Sequence, residues 1–132
     1  KVAARRGHYQ AYQQAFVDLP GVVMQPEAPW GQSTHWLTCL TLDARRTQVT
    51  AEQLRLALEA ENIEARPVWK PMHRQPVFAG CRVIGGSVSD ALFATGLCLP
   101  SGSSLMVAQQ QRVIDIVRSC AGAAADTESA AA

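Results

Sequence analysis

Apolar residues recur at helical spacing near both ends of the chain. The first helix is predicted over roughly residues 1 to 18 and ends before Pro20, which cannot continue a helix. A terminal helix is predicted over roughly residues 105 to 119. The apolar stripes that define these helices are Val2, Tyr9, Tyr12 and Phe16 in the first, and Val113, Ile114 and Val117 in the second.

The middle of the chain carries the most specific helix signal. Thr50 and Gln53 have the spacing of a capping box, in which the threonine oxygen accepts the backbone N–H of Gln53 and the glutamine side chain reaches back. The helix that follows is expected to bury Leu54 and Leu58. Asn62 is expected to adopt the left-handed conformation that ends the helix.

Strands are predicted between the helices. The run WLTCLTL, residues 36 to 42, is apolar on both faces and is expected inside a sheet, whereas residues 64 to 69 and 97 to 99 predict two more short strands. A short helix should precede the last of these, with Ser87 or Ser89 as its N-cap. This alternation predicts an α/β (α+β) fold in which helices cover a small sheet.

Composition narrows the class of protein. The chain has 132 residues and 48% hydrophobic content, which suits one domain with a single core. Its formal net charge is only +1, so a nucleic-acid partner is not expected. The four cysteines form no C-x-x-C pair, which indicates reduced, buried thiols in a cytoplasmic protein. There is no apolar run of the length that a membrane span needs.

The sequence at the two ends of the chain predicts how the chain divides into a domain and a tail. The chain opens on Lys1, directly in a helical pattern, and we expect it to be a piece of a longer protein. Residues 121 to 132 are small and polar, which is typical of a mobile tail, although the start of that tail could also be helical. We therefore predict a domain over residues 1–119 and a flexible tail over residues 120–132.

The segment RPVWKPMHRQPVF, residues 66 to 78, is the clearest candidate for a functional loop. Each of its three prolines disfavours helical geometry in the preceding residue, so the segment should be a strand that leads into a stiff loop. Loops that hold tryptophan, histidine and arginine at fixed positions are often binding surfaces. Either a binding role or a purely structural role is compatible with this pattern alone.

Other chemistry-bearing residues give weaker signals. The only lysines are Lys1 and Lys70, and neither has the desolvated setting that a Schiff-base lysine needs. His8, His35 and His73 lack partners at metal-ligand spacing, so no metal site is predicted. We read His8 as a solvated helix residue and His35 as a loop residue.

Three stretches together resemble a known family. They are NIEARPVWKPMHRQPVF (residues 62 to 78), HWLTCLTL (35 to 42) and GLCLPSGSSL (96 to 105), and they resemble the C-terminal part of the DegT/DnrJ/StrS nucleotide-sugar aminotransferases. The resemblance spans roughly residues 1 to 119. It implies the small C-terminal domain of an aspartate-aminotransferase type fold, with a small, mostly antiparallel sheet. Met106 and Val107 depart from the family pattern, which leaves the start of the last helix open.

The resemblance also implies an activity for the intact parent protein. It would be a cytoplasmic, homodimeric pyridoxal phosphate enzyme that transfers an amino group from glutamate to a nucleotide-linked 4-keto-6-deoxy sugar, of the bacillosamine or exopolysaccharide type. The cofactor site and the catalytic residues would lie outside this segment, so the fragment alone should be inactive. No nucleic acid or membrane is expected as a partner.

The residues carried over from the family are His73, Trp69 and Arg66, which the resemblance places at or beside the sugar-nucleotide site. Pro71 and Pro76 would set the shape of their loop. An alternative from a different class is a stand-alone small α/β module that binds a ligand or a protein, and an independent Cys or His hydrolase ranks below it.

Overall fold

A four-stranded antiparallel sheet forms the centre of the fold. The computed structural model describes residues 1–129, with side chains through residue 122. Within that part of the chain the elements are α1 (Val2–Phe16), β1 (Val22–Met24), β2 (Thr38–Leu42), α2 (Ala44–Thr47), α3 (Ala51–Ala60), β3 (Arg66–Pro67), α4 (Ser87–Thr95), β4 (Gly96–Leu99) and α5 (Val107–Ser129), with two 3-10 turns at Met72–Arg74 and Pro76–Phe78.

The strand order is β1-β2-β4-β3, so β2 and β4 are the interior strands. Every adjacent pair is antiparallel, as the family resemblance implied. Leu40 of β2 lies opposite Leu97 of β4, and Cys39 lies opposite Cys98. Because neighbouring positions on a strand face opposite ways, the leucines and the cysteines lie on different faces of the sheet.

The hydrophobic core lies between the leucine face of the sheet and helices α1, α3 and α5. Its fully or nearly fully buried members are, among others, Tyr12, Phe16, Leu40, Leu42, Leu54, Leu58, Leu97, Leu99, Val113 and Val117. These residues include most of the apolar stripes predicted from periodicity. Val2 is the exception, since it is half exposed and lies at the first residue of α1.

The capping box before α3 is confirmed. Gln53 donates its backbone N–H to the Thr50 hydroxyl at 3.2 Å, and the Gln53 side chain accepts the Thr50 N–H at 2.9 Å. Beyond the helix, Asn62 has a φ of 58°, the left-handed conformation predicted for it. These contacts are local in sequence, which is why periodicity and spacing predicted them.

Two strands are shorter than predicted. The strand β2 begins at Thr38, so Trp36 lies in a bend before it and is largely exposed instead of interior. The strand β3 contains only Arg66 and Pro67, and the last contact of this edge with β4 is the hydrogen bond from the Val68 N–H to the Gly96 carbonyl, at 3.3 Å. A proline inside the segment removes one donor, and a short edge strand results.

The helix α4 was predicted, but its N-cap was not. Gly86, with a φ of 110°, holds the N-cap position, whereas Ser87 is already helical and the Ser89 hydroxyl donates to the Gly86 carbonyl. None of the residues of α4 is buried. The helix ends at Gly96, where an added Cβ would lie 2.4 Å from the Leu92 carbonyl oxygen, so the chain turns directly into β4.

The last helix extends beyond its predicted end. The helix α5 begins at Val107, where the Gln109 side chain accepts the Met106 N–H at 3.0 Å, and it continues to Ser129. Ala121 is buried in the core, so packing continues two residues past the predicted boundary between domain and tail at residues 119 and 120. Residues 130–132 of the predicted tail lie outside the described residues. Across the described part of the chain, no helix is both long and apolar enough to cross a membrane.

The cysteines are free, but they are not uniformly buried. Cys98 is buried, Cys39 and Cys120 are half-buried, and Cys81 is exposed. The prediction of buried thiols is therefore wrong for Cys81, which lies in the irregular segment before α4. Periodicity gives no burial signal in such a segment.

Candidate functional site

A cleft of about 750 Å³ opens beside β3 and the end of β4. Its walls come from α1, from the bend before β2, from the start of the proline-rich segment and from the turn after β4. The residues that line it include Arg5, Trp36, Glu64, Arg66, Trp69, Lys70, Cys98, Pro100 and Ser101. Two of the three predicted site residues, Trp69 and Arg66, therefore lie in one cleft, while His73 does not line it.

Two tryptophans meet in this cleft. The ring centroids of Trp36 and Trp69 are 6.1 Å apart and the ring planes are tilted by 36°. The side chains remain 62% and 66% exposed, so their faces are open to a ligand. Sequence reasoning missed Trp36 because it placed the residue inside a strand. The local sequence contains no signal that the strand begins only at Thr38.

Three cationic side chains surround the tryptophan pair. Arg5 donates from Nη1 to the Trp36 carbonyl at 2.6 Å, which ties α1 to the bend. Arg66 forms an exposed ion pair with Glu64, with Nε 2.7 Å from the carboxylate oxygen. Lys70 is exposed at the end of the cleft. Aromatic faces together with cationic groups can bind a base and its phosphates.

The bend that carries Trp36 is fixed by the residue before it. His35 has a φ of 44° and is 3% exposed, and its ring stacks on Tyr9 with centroids 3.7 Å apart. His35 lies in the loop before β2, as predicted, and its buried ring packs on Tyr9. Burial lowers the pKa of His35, because the charged imidazolium is disfavoured there.

A second anchor holds the loop before the bend. Glu27 accepts from Arg6 Nη1 at 2.9 Å and from the Ser33 backbone N–H at 2.5 Å. These hydrogen bonds, with that from Arg6 first, lower the pKa of Glu27 to about 2. Arg6 also donates to the Ser33 carbonyl. The loop that positions Trp36 is thus tied to α1 by charge as well as by packing.

His73 lies in the first 3-10 turn and contacts α4. Its Nε2 is 3.0 Å from Asp90 Oδ1, and Arg74 binds the same carboxylate through Nε at 2.9 Å and Nη2 at 3.0 Å. The Arg74 hydrogen bond is the main reason why the pKa of Asp90 is lowered. A Cβ added at Gly86 would lie 2.9 Å from His73 Cε1, so the imidazole also packs on the start of α4. The contact with Asp90 joins residues 17 positions apart, and no local sequence pattern indicated it.

Neither lysine of this chain has the setting that a pyridoxal phosphate site needs. A lysine that forms a Schiff base requires a desolvated or charge-perturbed setting. Lys1 is exposed at the start of α1, and Lys70 is exposed on the outer part of the cleft. The carboxylate of Asp90 is not free to hold a cofactor either, because it already binds Arg74 and His73.

Comparison with known proteins decides the family. The model of the DegT/DnrJ/EryC1/StrS aminotransferase family matches residues 1–118. The chain belongs to this family. Within the family, the chain is 44% identical over 121 residues to EpsN of Bacillus subtilis (strain 168), which is assigned as a pyridoxal phosphate-dependent aminotransferase, and 32% identical over 114 residues to the GDP-perosamine synthase of Caulobacter vibrioides. These matches cover 89% and 86% of the chain.

A solved structure confirms the fold class. The structure of DesI in the presence of its TDP-sugar product matches 91% of the chain with a TM-score of 0.83 and 26% sequence identity, over 31% of the DesI chain. The chain likewise spans only 30% of the length of each of the two curated relatives.

Proposed function

We propose that this chain is the C-terminal domain of a pyridoxal phosphate-dependent sugar aminotransferase. The parent enzyme would transfer an amino group from glutamate to a nucleotide-linked 4-keto-6-deoxy sugar, of the type used in bacillosamine or exopolysaccharide synthesis. The observation that carries the proposal is the cleft in which Trp69 and Arg66 meet, in a member of a sugar aminotransferase family. The similarity to EpsN supports a pyridoxal phosphate-dependent aminotransferase, and the similarity to a GDP-perosamine synthase supports a nucleotide-linked sugar as substrate.

In this proposal the chain supplies one wall of the substrate site. Trp69 and Trp36 offer exposed ring faces to the nucleotide base, since stacking on aromatic side chains tolerates different bases. Arg66 and Lys70 offer positive charge to the diphosphate, and Arg5 holds the Trp36 backbone in place. These roles bind and orient the substrate, and none of them is a catalytic role.

His73 takes part in a more restricted way. The Nε2 atom of His73 is occupied by Asp90, so only Nδ1 of the imidazole is available to a substrate. Nδ1 forms no hydrogen bond with any residue that the structure describes. The side chain is 19% exposed, which is enough to present one edge of the ring. We therefore propose that His73 both holds the loop on α4 and contributes a polar contact to the sugar nucleotide.

The cofactor and the second subunit belong to the proposed parent enzyme. Because neither lysine of this chain has a suitable setting, pyridoxal phosphate would bind to residues outside the segment. A cytoplasmic homodimer is part of the same proposal. The isolated chain would then be inactive, since it carries a substrate wall without the cofactor.

Substitution of Trp69 in the intact parent tests the substrate role. Loss of a stacking partner costs about 1 to 3 kcal/mol per base, so Trp69→Ala should lower kcat/KM for the sugar nucleotide roughly five- to more than a hundredfold. The half-reaction with glutamate should keep its rate. Trp30→Ala is the matched control, because Trp30 is 88% exposed and does not line the cleft. Equal losses in both half-reactions, or none in either, would contradict the proposed wall.

The isolated chain tests where the cofactor binds. Incubation of residues 1–132 with pyridoxal phosphate, followed by borohydride reduction and mass spectrometry, should give no stoichiometric adduct at a single lysine. A site-specific, stoichiometric adduct at Lys70 would contradict the view that the cofactor site lies elsewhere. Scattered, substoichiometric labelling is expected for any exposed amine.

A further inference from the structure

Two cysteines face each other across the central strands, outside the hydrophobic core. Cys39 of β2 and Cys98 of β4 are register partners, and their Sγ atoms are 3.5 Å apart. The core contains Leu97 and Leu99 on either side of Cys98, but neither of the two cysteines is part of the core cluster. The dithiol therefore lies on the opposite face of the sheet, where Cys98 lines the cleft.

The backbone geometry at this pair suits a covalent bond. Residues directly opposite each other in an antiparallel ladder have Cα atoms about 4.5 to 5.5 Å apart, and disulfides form at Cα separations of about 4.4 to 6.8 Å. Closing the bond requires the Sγ atoms to approach from 3.5 Å to about 2.05 Å. Rotation of the side chains, without a shift in strand register, can supply most of that movement.

The two thiols are not chemically equivalent. The contact between the two thiols lowers the pKa of Cys98, whereas the same contact, together with burial, raises the pKa of Cys39. Cys98 is also the register partner of Arg66, whose positive charge lies on the neighbouring edge strand. Because Cys98 lines the cleft, a small disulfide that enters the cleft meets Cys98 first, and Cys39 is placed to react second.

We propose that Cys39 and Cys98 form a redox-active dithiol, with Cys98 at the wall of the cleft, which small-molecule disulfides convert to an intramolecular disulfide. The reaction is thiol–disulfide exchange. The Cys98 thiolate attacks one sulfur of the small disulfide, whose S–S bond breaks and releases one thiolate. Cys39 then loses its proton to solvent and attacks Cys98 Sγ, which releases the second thiolate. The two cysteine sulfurs are oxidised and the small disulfide is reduced to two thiols, so atoms and electrons balance.

The test uses the intact protein that carries this chain, treated with 2,2′-dithiodipyridine. Tandem mass spectrometry of non-reduced peptides should identify a Cys39–Cys98 link that is lighter than the dithiol by two hydrogens and is reversed by dithiothreitol. In Cys39→Ser the reagent should remain on Cys98 as a stable mixed disulfide, because the resolving thiol is lost. Cys81→Ser is the matched control: it removes the exposed competing thiol and should leave the link unchanged.

Two results would overturn the proposal. One is wild-type protein in which a stable reagent adduct persists on Cys39 or Cys98. The other is protein in which both cysteines stay unmodified while the exposed Cys81 reacts completely. Both readouts come from the folded wild-type protein, so they stand even if Cys39→Ser prevents folding. They are also independent of the proposed aminotransferase activity.

Discussion

Truncation of Leu58 probes how α3 is fixed to the sheet. Leu58 is 0% exposed and belongs to the core cluster, together with the leucines of β2 and β4 and the valines of α5. It lies near the end of α3, on the same face as Leu54. The change Leu58→Ala keeps the helix propensity and removes only buried apolar volume.

The expected loss of stability follows from that burial. Removal of three buried carbon groups, at about 0.8 kcal/mol each, costs about 2.4 kcal/mol in transfer free energy. A site that relaxed only in part and kept a cavity of about 60 Å³ would lose about 1.4 kcal/mol more, at about 24 cal/mol per Å³. The expected decrease in the free energy of unfolding is therefore about 2 to 5 kcal/mol.

Urea titration of residues 1–132, followed by circular dichroism, measures this change. Leu56→Ala is the matched control, since Leu56 is on the same helix but 48% exposed, and it should change the free energy of unfolding by no more than about 0.5 kcal/mol. Leu58→Met preserves most of the volume and should cost less than about 1.5 kcal/mol. A loss below about 0.5 kcal/mol for Leu58→Ala would refute the assigned packing of α3.

Three further changes test other contacts. The pKa of Glu27 is lowered to about 2, so its ion pair with Arg6 should stabilise the fold at neutral pH, with the stability lost as pH falls from about 4.5 towards 2; Glu27→Gln should flatten this part of a thermal denaturation series, and an unchanged slope would count against it. Gly96→Ala should lower the melting temperature, because the new Cβ would meet a backbone oxygen at 2.4 Å; an unchanged value would show that the turn relaxes freely. Asp90→Asn should free the loop at His73, seen as faster amide hydrogen exchange over residues 71–78, and equal protection would refute the role of Asp90 in holding this loop.

Several parts of the fold were determined by local sequence alone. The capping box at Thr50, the left-handed Asn62 and the apolar stripe of α1 depend on residues within one or two turns of each other, and the structure confirms them. The segment after β3 was also predicted as non-helical and stiff, because each proline constrains its own backbone and that of its predecessor. The segment contains no α-helix, but it forms two 3-10 turns that the sequence did not predict.

Other features depended on contacts that no local pattern encodes. The strand β3 is short because the segment pairs with β4 at only two residues. The helix α5 extends past its predicted end, where Ala121 packs in the core. In the same way, the exposure of Trp36 follows from the buried stack of His35 on Tyr9. Each of these contacts joins residues that periodicity treats separately.

The candidate site likewise combines features that the sequence predicted with features that only tertiary contacts decided. The sequence determined that Trp69 and Arg66 would sit on a stiff segment, and the family resemblance gave them a substrate role. Only the tertiary structure brought Trp36 to within 6.1 Å of Trp69, joined His73 to Asp90 and set Cys39 opposite Cys98. The physical reason is that side-chain pairs between 17 and 59 residues apart meet only when the strand order and the loop anchors are fixed.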